Sequence, residues 1–314
     1  MEFPALLRQA LENRAASFPS LAQDAQALSL RYRADYQDGR RLLTTDSEAA
    51  AYAAARMPAT FGAAAFALEQ ALEASGLSPV SLLDAGAGTG AASWASDALL
   101  PLESAVCLER EPAMIRLGKA LMKDGSPALQ QARWLQGDLT RELPCRAELV
   151  IASYVLGELS DQERSSAALR LWQAADSLLL LLEPGTPAGF ARLKALRGLL
   201  MSQGAYIAAP CPCQGDCLLP EEDWCHFGCR VARSRLHKQL KGGDAPFEDE
   251  KFAYLALCRH APSPGAGRIL RRPYIEPGKI TLRLCTPAGL EARTIRKKDP
   301  RFKEVRKADW GKRF

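Results

Sequence analysis

The sequence lacks any long apolar run and any repeated or low-complexity tract. Its longest purely aliphatic stretch is the five leucines at residues 178–182, whereas a membrane-spanning helix takes about 20 apolar residues. The amino-terminal segment MEFPALLRQALENR includes acidic side chains and no unbroken apolar run, so it does not resemble a secretory signal. Hydrophobic residues make up 47% of the 314, which is ample for a core. We therefore expect a globular protein without a membrane anchor, in a reducing cytoplasmic compartment.

The net charge of +5 is distributed unevenly along the chain. Residues 268–314 contain fifteen Lys and Arg against five Asp and Glu, while the first 267 residues carry a net charge of −5. A second group of basic residues follows a Cys-rich segment and consists of Arg230, Arg233, Arg235, His237 and Lys238. Each group is either a solvated surface or a contact for a polyanion such as RNA.

Hydrophobic patterning divides the chain into four parts. Residues 1–77 contain Ala- and Leu-rich amphipathic stretches and predict a helical N-terminal subdomain, in which Pro58 should break or start a helix. Residues 78–203 alternate short apolar runs with helical patterns, which predicts an α/β core with a parallel sheet covered by helices on both faces. Residues 204–245 form a Cys-rich insertion, and residues 246–314 supply the last strands and the basic tail.

The segment DAGAGTG, residues 84–90, stands where the first predicted strand ends and a helix begins. Its glycines, Gly86, Gly88 and Gly90, allow a tight turn and a close approach of the backbone to a ligand. This is the position at which doubly wound folds bind nucleotides. Glu109 ends the second predicted strand, where a carboxylate can accept hydrogen bonds from ribose hydroxyls.

Two further carboxylates belong to this predicted site. Asp138 follows the third predicted strand, where it could reach an adenine amino group, and Asp84 precedes the first loop glycine. A carboxylate beside the loop suits a ligand with a cationic amino acid moiety better than a pyrophosphate. Over residues 80–184 the pattern resembles the class I methyltransferase fold, which is Rossmann-like, and the resemblance implies S-adenosylmethionine as cofactor. A degenerate, empty fold is the alternative.

The sequence identifies no catalytic residue. Amino-directed nucleic-acid methyltransferases carry an Asn/Asp-Pro-Pro-aromatic turn after the fourth strand, but this chain has ASYVLGEL at residues 152–159. No cysteine is placed as a nucleophile for cytosine carbon-5 methylation either. Methyl transfer depends mostly on placing a nucleophile in line with the sulfonium and so needs few protein groups.

Five of the nine cysteines lie within residues 211–229, and five thiols this close in a reduced chain indicate a metal. By spacing, two short pairs are compatible with a four-thiolate zinc site, namely Cys213 with Cys217 and Cys225 with Cys229. His226 is an alternative ligand, and Cys211 is left over.

The order of the motifs resembles the ribosomal small-subunit methyltransferase-like family, which has mitochondrial members that act as small-subunit assembly factors and also has bacterial relatives. The motifs run from ARMPAT through DAGAGTG, ELVIASYVLGEL, WCHF, HKQLKGG and FEDEKFAYLAL to LRLCTPAG. The resemblance implies a [4Fe–4S] cluster held by three clustered cysteines and a distant one, here Cys211, Cys217, Cys225 and Cys285. It also implies a contact between the basic C-terminal region and the small ribosomal subunit or its rRNA.

Three functions follow as hypotheses. The chain is an rRNA methyltransferase, a non-catalytic assembly factor with a vestigial methyltransferase site, or a zinc-containing methyltransferase with another substrate. The absence of an Arg- and Ser-rich presequence favours a bacterial cytoplasm over mitochondrial import. The sequence does not predict an oligomeric state.

Overall fold

A computed structural model describes residues 2–33, 45–241, 243–262 and 267–314 of the protein. The helices are α1 (Ala5–Ala15), α2 (Leu21–Arg33), α3 (Asp46–Ser75), α4 (Ala91–Asp97), α5 (Pro112–Leu121), α6 (Pro127–Gln130), α7 (Asp161–Ala174), α8 (Pro187–Met201), α9 (Arg235–Lys241) and α10 (Phe302–Val305). The strands are β1 (Ser81–Ala85), β2 (Ser104–Glu109), β3 (Arg133–Gln136), β4 (Ala147–Ser153), β5 (Ala175–Pro184), β6 (Tyr206–Ala209), β7 (Phe227–Ala232), β8 (Phe247–Cys258), β9 (Arg268–Ile269), β10 (Tyr274–Glu276), β11 (Lys279–Thr286) and β12 (Gly289–Arg296).

Helix α3 is 30 residues long and packs against both the other amino-terminal helices and the sheet. It begins with a capping box, in which the Thr45 hydroxyl accepts from the Glu48 amide and the Glu48 carboxylate accepts from the Thr45 amide. It ends at Gly76, which adopts a left-handed φ of 69°. The expectation that Pro58 breaks or starts a helix was wrong, because Pro58 lies inside α3. Tertiary packing of the Ala-rich helix overrides the local penalty of the proline.

The main sheet has the order β3-β2-β1-β4-β5-β8-β6, and β7 also pairs with β8. The first five strands are parallel, as the alternation of strands and helices predicts. Strand β8 is antiparallel to β5 and lies between β5 and the edge strands β6 and β7. A doubly wound parallel sheet with one antiparallel strand inserted next to its edge is the class I, Rossmann-like S-adenosylmethionine-dependent methyltransferase fold.

The leucines of β5 show how the sheet is buried on both faces. Leu178, Leu180 and Leu182 belong to the core beneath α3 and α4, whereas Leu179 and Leu181 belong to the core beneath α7 and α8. All five side chains are fully buried. A continuous apolar run is therefore required here, since alternate residues face two different hydrophobic layers.

Strands β6 and β7 lie end to end along one side of β8. Ala209 pairs with Ala256, and Phe227 pairs with Phe252. Strand β5 pairs with these same residues of β8 and occupies its other side. The Cys-rich residues 210–226 thus connect two pieces of a single sheet edge.

A second, four-stranded antiparallel sheet follows, with the order β10-β11-β12 and β9 paired with β11. One face packs on a small core of its own, which comprises Ile269, Ile280, Leu282, Leu284, Ile295 and Val305. On β11 the alternate residues Lys279, Arg283 and Cys285 belong to the opposite face. Among the described residues, no helix combines the length and apolar character that a membrane span requires.

The second basic group predicted from the sequence is largely neutralised. Arg230 lies in β7 and pairs with Asp249, at 3.0 Å between Nε and Oδ1. Arg233 pairs with Glu248 at 3.1 Å, and His237 is buried with its Nε2 3.3 Å from Glu248. Glu248 and Asp249 belong to the FEDEK segment, which is part of β8 and lies opposite β7.

Candidate functional site

The glycine loop opens onto a cleft at the carboxyl ends of β1, β2 and β4. Its lining includes residues from the loop, from α3 and from the segment after β4. The predicted residues that line it are Gly86, Gly88, Glu109 and Asp138. Gly90 lies at the end of the loop and is the N-cap of α4.

The loop backbone requires glycine for two reasons. Gly86, Gly88 and Gly90 have φ values of 78°, 55° and 86°, in the left-handed region that side chains disfavour. A Cβ at Gly86 would also lie 2.8 Å from a methyl of Val155, whereas a Cβ at Gly88 would meet no atom within 4 Å. Gly88 therefore borders open space in the cleft.

Glu109 holds the loop against the end of β2. Its carboxylate accepts hydrogen bonds from the Gly88 amide at 2.7 Å and the Glu111 amide at 2.8 Å. Burial raises the pKa of Glu109, although these backbone hydrogen bonds oppose the shift. The side chain fixes the loop and at the same time lines the cleft.

Asp138 also lines the cleft, across from the loop. Partial burial acts to raise its pKa, but hydrogen bonds from the Thr140 amide at 2.8 Å and the Thr140 hydroxyl at 2.9 Å outweigh this effect. The pKa of Asp138 is lowered as a result. The group is therefore a charged acceptor in the neutral pH range.

Asp84 is fully buried beneath the loop and is not among the residues that line the cleft. One carboxylate oxygen accepts from the Ser93 amide at 3.1 Å and the Ser93 hydroxyl at 2.7 Å. The other has no hydrogen-bond partner, and burial raises the pKa of Asp84 to about 6. The structure thus gives Asp84 a contact with the first turn of α4, and not the direct contact with a cationic ligand that its position in the sequence suggested.

Sequence reasoning missed a polar cluster at the mouth of the cleft. Tyr154, with a φ of 58°, and Tyr52 both line it. The Tyr154 hydroxyl donates to Glu250 at 3.2 Å, and Arg56 donates to the same carboxylate at 2.9 Å. These residues come from α3, β8 and the segment after β4, so no local motif identifies them.

A second cavity lies between α8, the Cys-rich segment and the second sheet. Five thiols line it, those of Cys211, Cys213, Cys217, Cys225 and Cys285. Burial raises the pKa of Cys225 well above its ordinary value, and the nearby thiols of Cys211, Cys217 and Cys285 add to the shift. The fold therefore brings Cys285, sixty residues further along the chain, to the three clustered cysteines.

Cys229 and His226 lie apart from this cavity. Cys229 is on β7 against α3, where its sulfur is 3.2 Å from the position of a Cβ added to Gly62. The His226 ring stacks on Trp224 with a centroid distance of 5.1 Å. Among the described residues, no three His, Cys, Asp or Glu side chains have the geometry of a site for a single metal ion. The thiols line a cavity without converging on a point.

The lining of the thiol cavity is chemically suited to a cluster with thiolate ligands. Sulfur is the donor that iron–sulfur clusters use. Four of the five thiols are those that the family resemblance implies, and the rest of the lining is mainly apolar. The residues present therefore fit such a group.

Comparison with known proteins gives a family for the chain. Residues 46–314 match the family described as mitochondrial small ribosomal subunit Rsm22. The chain is also 26% identical over 270 residues to the human ribosome assembly protein METTL17, mitochondrial, with coverage of 80% of this chain and 58% of that protein. The chain thus spans little more than half the length of this relative.

Solved structures of methyltransferases show a distant likeness. The magnesium protoporphyrin IX methyltransferase of Synechocystis PCC 6803 with bound SAM has 15% identity and a TM-score of 0.42, and the match covers 73% of this chain and 90% of that one. The plantazolicin methyltransferase BpumL in complex with SAH has 11% identity and a TM-score of 0.44, with coverage of 82% and 100%. The assignment of the fold rests on the strand order of the sheet itself.

The family match confirms the resemblance found in the order of the sequence motifs. It extends from the start of α3 through the glycine loop, the Cys-rich segment and the second sheet. The protein therefore belongs to the family of the mitochondrial small ribosomal subunit protein Rsm22.

Proposed function

We propose that the protein is a methyltransferase-like assembly factor for the small ribosomal subunit, which binds S-adenosylmethionine in the glycine-loop cleft and a [4Fe–4S] cluster in the thiol cavity. Its family membership and its likeness to a ribosome assembly protein support the ribosomal part. The observation that carries the cluster is the position of Cys285, which lies with Cys211, Cys217 and Cys225 around one cavity.

The cleft suits S-adenosylmethionine because it offers hydrogen-bond acceptors for the ribose and the adenine, and a stretch of backbone that a ligand can approach. Glu109, at the end of β2, lines the cleft where ribose hydroxyls would lie, and Asp138 offers a charged acceptor to the adenine amino group. Gly88 leaves room for a ligand to approach the backbone.

Two functions are compatible with a ligand in this cleft. As an rRNA methyltransferase, the protein would use the cleft for catalytic turnover; as an assembly factor, it would use the bound ligand for structure or regulation. The engagement of Tyr154 with Glu250 favours the assembly factor, because the first side chain after β4 lines the cleft with its hydroxyl already donated to a carboxylate and not as a free polar group. Glu109→Gln separates the two, since it should abolish function in an enzyme while an assembly role could survive it.

We prefer the cluster over zinc because the ligands that the cluster requires line one cavity, whereas those that zinc requires do not. The zinc hypothesis needs Cys213, Cys217 and Cys225 with Cys229 or His226 as the fourth ligand, but Cys229 packs on β7 against α3 and the His226 ring stacks on Trp224. The cluster hypothesis needs Cys285, which lines the cavity. When bound, the cluster would link the Cys-rich insertion to β11 and contribute to the folding of that region.

The proposed rRNA surface is the outer face of the second sheet. Lys279 and Arg296 are directly opposite each other on β11 and β12, and both are exposed. Arg283 and Tyr274 are exposed on the same face. Such side chains supply phosphate contacts and a ring on which a base can stack, so they give affinity without sequence readout. Cys285 lies on the same strand and face, so the metal site would order this surface.

The decisive experiment is anaerobic purification with an absorption spectrum and quantification of iron, sulfide and zinc. We expect a broad brown absorption and about four irons per chain in the wild type. Cys285→Ser should lose both, and Cys229→Ser is the matched control that should keep them. About one zinc per chain that persists in Cys285→Ser and disappears in Cys229→Ser would contradict the cluster and reinstate the local cysteine pairs.

A further inference from the structure

The thiol cavity carries an unbalanced positive charge. Its lining includes three cations, Lys194, Arg197 and Arg268, and within the described part of the chain no carboxylate lines it. Lys194 is exposed on α8, but the two arginines are buried. A buried cation is unfavourable unless an opposite charge and hydrogen bonds compensate it.

Arg197 is the clearer case of the two. Its residue is 6% exposed, and the side chain extends from α8 towards the cysteines. One terminal nitrogen donates to the carbonyl of Gly215, in the loop between Cys211 and Cys217, while the Nε has no hydrogen-bond partner in the described structure. No carboxylate forms an ion pair with it among the pairs formed by described residues. The guanidinium is thus held by the loop it faces, and no carboxylate of the described residues forms an ion pair that compensates its charge.

Arg268 is 3% exposed and has only neutral acceptors. Its guanidinium donates to the Pro210 carbonyl at 2.9 Å, the Gln70 side-chain oxygen at 2.6 Å and the Gly311 carbonyl at 2.9 Å. These bonds use three of its five N–H donors and connect three distant parts of the chain. They do not neutralise its charge, which also lies beside the cavity.

We propose that Arg197, supported by Arg268, supplies the countercharge for an anionic centre in the thiol cavity and thereby sets the reduction potential of that centre. The inference rests on the proposed cluster. An iron–sulfur cluster with four thiolate ligands is an anion, and one-electron reduction makes it more negative. Fixed positive charge in a buried, low-dielectric cavity stabilises the reduced state more than the oxidised state. Arg197 is a positioning and tuning residue that binds no iron itself.

The test compares three variants of the anaerobically purified, cluster-loaded protein. Arg197→Gln removes the charge, Arg197→Lys keeps it, and Lys194→Gln removes a cation from the same helix whose charge is exposed to water. The measurements are the midpoint potential from a redox titration followed by electron paramagnetic resonance, and the rate of cluster loss in air. A circular dichroism spectrum shows whether each variant is folded.

We expect Arg197→Gln to lower the midpoint potential, with a tenfold loss of preference for the reduced state corresponding to about 59 mV for one electron. Cluster retention should fall by about tenfold or more, as for other outer-shell partners of metal sites. Arg197→Lys should restore most of the potential, and Lys194→Gln should shift it little, because water screens an exposed charge.

The outcomes distinguish this inference from the proposed function. If Arg197→Gln is folded, holds iron and has the wild-type midpoint potential, the countercharge role of Arg197 is overturned, whereas the proposed cluster is supported. An equal loss of cluster in Arg197→Gln and Arg197→Lys, without a change in potential, assigns Arg197 only the packing of the Gly215 loop. A wild-type protein that holds no thiolate-bound metal overturns both proposals.

Discussion

Gly88 provides the most specific test of ligand binding in the cleft, because Gly76 serves as a matched control elsewhere in the chain. Gly88 and Gly76 both adopt a left-handed φ, of 55° and 69°, and a Cβ at either position would meet no atom within 4 Å. Alanine at either site should therefore destabilise the protein only through backbone strain, by about 1–2 kcal/mol. The difference lies in location, since Gly88 lines the cleft and Gly76 ends α3.

The methyl of Gly88→Ala would occupy space that the ligand needs. Overpacking by one methyl typically costs about 1–3 kcal/mol, which corresponds to an affinity roughly 5- to 150-fold weaker. We expect titration calorimetry with S-adenosylmethionine to show this loss for Gly88→Ala and wild-type affinity for Gly76→Ala. The thermal midpoints of the two variants should fall by similar amounts. Equal affinities in the two variants would refute the placement of the ligand against the glycine loop.

Three further predictions concern stability and RNA. Burial raises the pKa of Asp84 to about 6, above its ordinary 3.8. Between these two values the folded state retains a proton that the unfolded state releases. The free energy of unfolding should therefore fall by up to about 3 kcal/mol as the pH rises from about 4 to about 6, and it should stay level at higher pH. Asp84→Asn should remove this fall, and an unchanged pH profile in chemical denaturation would contradict the burial argument. Tyr154→Phe removes a partly buried hydrogen bond to Glu250 and should lower the unfolding free energy by about 1–2 kcal/mol in the same assay, whereas unaltered stability would show that the bond is not formed. Replacing Lys279 and Arg296 by Gln should weaken RNA binding and reduce the slope of log affinity against log salt by about two, and an unchanged slope would remove these residues from the interface.

The α/β core was predictable because its signals are local. Strand β1 ends at the glycine loop and β2 ends at Glu109, as the sequence predicts. Each is a short apolar run bounded by turn residues, and such runs identify buried strands without tertiary information. The roles of Gly86 and Gly88 in the turn likewise follow from the residue type alone.

What the sequence did not reveal depends on contacts between distant residues. The continuity of α3 through Pro58 depends on its packing against the sheet. The pairing of Arg230 with Asp249 depends on the register of β7 and β8, which no local pattern specifies. The buried position of Asp84 depends on how α4 packs over β1. The position of Arg197 beside the five thiols depends on the tertiary fold, which brings α8 and the cysteines to one cavity.

The interrupted edge strand has a consequence for protein engineering. Between Ala256 and Phe252, the partners of Ala209 and Phe227, three residues of β8 intervene, whereas seventeen intervene between Ala209 and Phe227 in the chain. Replacing residues 210–226 by a three-residue extended linker would fuse β6 and β7 into one uninterrupted strand in the same register. The Cys-rich segment therefore has the connectivity of an insert, and a chain shortened in this way should keep its glycine-loop cleft as a minimal methyltransferase-like scaffold.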